Sequence, residues 1–160
     1  MRSKPKPEDP TYIEVEGNPS QFFEIDGKIY LFSSKADKVV IYSFHLDNFT
    51  LATSNWYPIA NATGKIALSN SNTLYILTSS GWPNYEDGIG VLPLFGTSLQ
   101  PKWYEGSGFY GIGIDSSKEE IYVANANGFQ GNGTITVLDK SGNTVRTFDV
   151  GRGPSGFMMK

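Results

Sequence analysis

Apolar residues along this chain come in short bursts, each broken by Gly, Asn, Asp, Ser or Pro. Long helix-forming runs of Ala, Leu, Glu and Lys are missing. The bursts are rich in Val, Ile, Thr, Tyr and Phe, side chains that fit a pleated strand and lose rotamer freedom in a helix. Three bursts share the order aliphatic, Tyr, aliphatic: Ile29-Tyr30-Leu31, Leu74-Tyr75-Ile76 and Ile121-Tyr122-Val123. A short polar turn precedes each, at 25–28, 69–73 and 115–119. Asp-Gly and Asn/Ser clusters of this kind suit hairpin turns. A further apolar burst follows each core, at 39–42, 89–92 and 135–138, and then a more polar one at 49–55, 100–104 and 144–150. The pattern predicts an all-β chain in which strand, tight turn, strand, loop, strand, turn, strand recurs.

The recurrence is regular. The core tyrosines are 45 and 47 residues apart. Eleven residues before each stand Pro19, Gly64 and Gly111, and Pro154 continues the series. Four strands in a period of about 45 residues is the spacing of a β-propeller blade. In Lys28-Ile29-Tyr30-Leu31-Phe32 both faces of the strand are apolar, as expected of a blade covered on both sides by neighbours. The blades fall at about 17–57, 62–104 and 109–150. At the start, residues 11–17 match an outer fourth strand, and at the end, 154–159 match an inner first strand. Closed propellers typically have about four or more blades. The sequence therefore predicts a partial propeller, the C-terminal part of a longer one, with self-association of a short chain as the alternative. Residues 1–10 are polar and proline-rich and read as a disordered linker or tail.

Composition narrows the function classes. A net charge of −3 lacks the basic footprint of nucleic-acid binding. There is no cysteine, which excludes disulfides and thiolate chemistry. No apolar run is long enough to span a membrane, and no signal peptide is visible. His45 is the only histidine and has no obvious catalytic partner. Glu86-Asp87 reads as solvated loop charge, with oxygen ligation of a cation as the sharper option. Asp26, Asp115 and Asp139 fit turn roles. The glycine-rich segment 128–133 leads into a strand, so it lacks the helix terminus of a phosphate site.

Ile121-Tyr122-Val123-Ala124-Asn125, the run Gly-Thr-Ile-Thr-Val-Leu-Asp at 133–139 and Val-Gly-Arg-Gly-Pro-Ser-Gly at 150–156 resemble YVTN-type β-propeller repeats. More narrowly, they resemble the surface-layer-like propellers of bacterial envelopes. The third repeat carries the match. The first two depart from it, with Tyr30-Leu31-Phe32-Ser33-Ser34 and Tyr75-Ile76-Leu77-Thr78-Ser79. The resemblance implies an exported, non-catalytic protein of the cell envelope or surface, without a cofactor. Some similar propellers capture corrinoids for outer-membrane uptake. An enzymatic alternative, a propeller lyase or hydrolase, needs catalytic residues from blades outside this chain.

Meander topology places the loops between second and third strands on the same rim as the interblade segments. The long loops 79–88 and 125–132 fall there, and function concentrates on such loops. The candidate ligand-binding residues are Trp82, Asn84, Tyr85, Asn127, Phe129 and Gln130, for an unknown small molecule or protein. The bland reading of Trp82 and Phe129 is packing across adjacent blade tops. No catalytic or metal residue is assigned.

Overall fold

The computed structural model describes residues 12–81, 83–96 and 98–159. The linker expected at 1–10 and the candidate Trp82 lie outside the described residues. The chain forms three four-stranded antiparallel sheets, each in sequence order. The first holds β1 (Asn18–Ile25), β2 (Lys28–Ser34), β3 (Val39–His45) and β4 (Thr50–Tyr57). The second holds β5 (Ala62–Leu68), β6 (Thr73–Ser79), β7 (Asp87–Pro93) and β8 (Gln100–Gly106). The third holds β9 (Phe109–Asp115), β10 (Glu120–Asn125), β11 (Gly133–Leu138) and β12 (Thr144–Val150). These are three blades of a partial propeller.

Local chemistry accounts for the turns. Asp26 and Gly27 join β1 to β2 with φ of 49° and 72°, the left-handed pair that a two-residue hairpin needs. Asp115 Oδ1 accepts from the Ser117 amide at 3.1 Å, and Asp139 Oδ1 accepts from the amides of Ser141 and Asn143 at 2.8 and 2.9 Å. The turn roles read for these aspartates hold.

Two interblade cores explain why the middle strands are apolar on both faces. Leu74 and Ile76 of β6 point to the first blade and meet its Phe32, Val39 and Ile41, together with Ile59 of the interblade segment and Ile66 of β5. Tyr75 and Leu77, one residue out of phase, point to the third blade and meet Ile112, Ile121 and Val123. Successive strand side chains alternate faces, so each face serves a different neighbour. Ile76 is fully buried, a burial that stabilises by about 2 kcal/mol.

Inner strands sit side by side. Ser20 Oγ donates to the Gly64 carbonyl at 2.9 Å, and Lys65 Nζ donates to the Tyr110 carbonyl. Residues 154–157 continue the series on the far side of β9, where Ser155 and Phe157 close over Gly111 and Gly113. The strands expected at the two ends take another form. Residues 12–17 and 154–159 pack against the end blades but form no ladder. Among the described residues neither segment has a free middle strand to pair with, and a strand needs such a partner for its backbone groups. Val15 still packs on the first blade and Phe157 on the third.

Candidate functional site

The gap between the second and third blades opens on the rim that carries the long loops. Three features build it. Asp87, the first residue of β7, is only 4% exposed. Its Oδ2 accepts from the Phe109 amide at 2.8 Å, tying β7 to the start of β9. Its Oδ1 is buried with no hydrogen-bond partner among the described residues. The expectation of a solvated loop charge is therefore corrected for Asp87, while Glu86 is exposed as expected. Asp87 pairs with Ser79 across the β6–β7 ladder, and the next blade closes over it.

Asn125, the last residue of β10, shapes the second feature. Its Nδ2 donates to the Ser107 carbonyl at 2.7 Å, and its Oδ1 accepts from the Asn127 amide at 2.7 Å. Gly108 has φ of +74°, and a Cβ there would lie 2.7 Å from Asn125 Oδ1. The Asn125 amide fills the space that any side chain at 108 would need. From this anchor the chain makes a single 3-10 turn, Asn127–Phe129. Asn127, Gly128 and Phe129 all have positive φ, between 48° and 63°. Such backbone costs about 1–2 kcal/mol for a non-glycine residue. Here it turns the Phe129 ring back toward β9.

The third feature is an aromatic and cationic cluster. Phe129 meets Tyr110 edge-on, with ring centroids 4.8 Å apart. Lys65 Nζ lies 3.7 Å from the centroid of the Tyr110 ring. Burial pushes the Lys65 ammonium below the usual lysine range, and no carboxylate pairs with it among the described residues. Tyr85 completes the wall from the β6–β7 loop, its amide donating to the Gly81 carbonyl at 2.9 Å.

Together these residues line a depression of about 720 Å³. Tyr85, Asn127, Phe129 and Gln130, expected as ligand-binding residues, all line it. Asn84 does not: it is exposed in the β6–β7 loop, outside the lining. Lys65, Asp87, Tyr110 and Asn125 are part of the depression and were not anticipated. Asn125 had a signal, as the last residue of the Ile-Tyr-Val-Ala-Asn run. Lys65 had one in retrospect, as the only charge in the inner strand β5. His45 stands exposed at the end of β3 and lines a different groove, with Gly27 and Leu46. Among the described residues no three His, Cys, Asp or Glu gather as a metal site.

Comparison with known proteins bears on the fold. No family model matches the chain, and no curated protein does. Solved structures do. A quinonprotein alcohol dehydrogenase-like protein from Bacteroides thetaiotaomicron is similar over 79% of this chain and 32% of its own, with 21% identity and a TM-score of 0.59. The β-propeller domain of the trilobed protease from Pyrococcus furiosus is similar over 84% of this chain and 43% of its own, with 14% identity and a TM-score of 0.56. The acylaminoacyl peptidase of Pyrococcus horikoshii is similar over 84% and 25%, with 13% identity and a TM-score of 0.61. The chain spans less than half the length of each. At these identities the likeness speaks for the β-propeller fold alone.

Proposed function

We propose that this chain is part of a non-enzymatic, surface-layer-like β-propeller of the bacterial cell envelope that binds a small molecule or protein on its loop rim. The observation that carries the binding part is the convergence of Tyr85, Tyr110, Phe129 and Lys65 on one depression between two blades. Tyr85, Tyr110 and Phe129 are 47%, 37% and 51% exposed, and the Tyr110 and Phe129 rings hold each other edge-on. Exposed aromatic rings on a rigid scaffold are ready binding groups, since little side-chain entropy remains to be lost. The envelope assignment draws on the resemblance of the third repeat to YVTN-type propellers.

A second reading makes the chain the propeller portion of a larger enzyme. It draws on the acylaminoacyl peptidase, of which this chain spans 25%. The loop rim would then contribute to an active site built elsewhere. The two readings part in a thermal-shift screen of wild type against Phe129→Ala and Tyr85→Ala. A ligand that binds only the folded state raises the melting temperature. The scaffold reading predicts compounds that stabilise the wild type, lose that effect in both variants and emerge chemically unchanged. Turnover of a bound compound would move the case to the enzyme. Equal stabilisation of all three proteins would contradict the proposed location.

A further inference from the structure

We propose that the depression takes a neutral, polyhydroxylated ring, the sugar unit of a glycan. This rests on the depression being the binding place, and it names the ligand class. The first support is charge. The lining holds one ammonium, Lys65, and one carboxylate, Asp87, and neither has an ionic partner among the described residues. An anionic ligand would face Asp87. A cationic ligand would find the face of Tyr110 already covered by the Lys65 ammonium, 3.7 Å from the ring centroid. A neutral ligand meets neither obstacle.

The second support is hydrogen bonding. Asp87 Oδ1 has no donor among the described residues but is shut off from solvent, which leaves Lys65 as the charged group that a ligand can reach. Lys65 Nζ has the Tyr110 carbonyl and can donate further, but an ammonium can only donate. A hydroxyl both donates and accepts, so a ring bearing several hydroxyls can accept from Lys65 Nζ and still donate to a neighbouring acceptor of the lining. The side-chain amides of Asn127 and Gln130 add paired donors and acceptors at the mouth.

The third support is shape. Tyr85 and Phe129 are half-exposed and flank the opening from two loops. The C–H faces of a sugar ring are apolar while its edge is polar, which matches flat rings beside polar side chains. A volume of about 720 Å³ accommodates more than one such unit.

The test is calorimetric titration of the purified chain with maltohexaose, xylohexaose, mannohexaose and chitohexaose. Tryptophan and benzoate form a non-sugar arm. At least one hexasaccharide is expected to bind. Phe129→Ala and Lys65→Gln should each weaken that binding by about tenfold, with unchanged circular dichroism. Absence of binding by all four hexasaccharides overturns the inference, as does sugar binding that survives both substitutions. If tryptophan or benzoate binds in their place and is lost in Phe129→Ala, the sugar class falls while the binding scaffold stands. If no probe of either class binds, both readings fall.

Discussion

At Gly111 a single methyl group decides how the third blade meets the tail. A Cβ there would lie 2.8 Å from the backbone of Ser155, which cannot rotate aside as a side chain can. Gly111→Ala is expected to cost about 1–3 kcal/mol of unfolding free energy, read from the midpoint of urea unfolding at unchanged slope. Glu120 gives a second residue-scale prediction. Arg146 Nη1 and Nη2 donate to its two carboxylate oxygens, each at 2.7 Å, and the Tyr122 hydroxyl donates at 2.9 Å. The Arg146 fork, with help from Tyr122, holds its carboxyl down at about 2 against an ordinary 4.5. A carboxylate depressed on folding adds stability above its unfolded value. That contribution is lost as pH falls from about 4.5 to about 2. In Arg146→Gln the Glu120 carboxyl should titrate nearer 4.5 by NMR, and an unmoved midpoint would show that Arg146 is not the cause. Residue roles set by neighbours close in sequence, such as those of Asp115 and Asp139, were legible. Asp87 was not, because its burial depends on Phe109, 22 residues away and in another blade.

At the scale of elements, the twelve strands were legible because every middle strand must be apolar on both faces. The end segments misled for a related reason. Residues 154–159 carry the side-chain pattern of a first strand, and they do seat on the inner strand β9, yet hydrogen-bond pairing needs a partner that side-chain pattern does not supply. The tail also bears on the rim. A Cβ at Gly153 would lie 3.3 Å from the Phe129 ring, so the residue just before Pro154 backs the wall of the depression. Gly153 has φ of +64° as well. Gly153→Val is therefore expected to shift Phe129 away from Tyr110. NMR should show weaker cross-peaks between the two rings, and any ligand of the depression should bind less tightly. Unchanged ring contacts would separate the tail from the site.

Among the described residues, both end blades carry a packed end segment, with Val15 on the first and Phe157 on the third. Even so, among the described residues the first blade leaves Phe22 and Phe49 each 65% exposed, beside a groove of about 750 Å³ lined also by Ile13, Val15 and Leu31. An apolar face of that kind favours association. Light scattering of the 160-residue chain should show self-association that Phe22→Ser and Phe49→Ser reduce, and a monomer at all concentrations would count against it. The repeat made the partial propeller legible, while the depression was only half legible. Its loop residues could be placed by topology, but Lys65, Asp87 and Tyr110 enter through the packing of one blade on the next. The most direct test of the rim as a binding place is residue-resolved NMR mapping of a compound found in the thermal-shift screen. Perturbed signals are predicted at the lining residues 63, 65, 77, 79, 85, 87, 107–110 and 125–130. Perturbation centred instead on Phe22 and Phe49, or on the turns of the opposite rim, would contradict it.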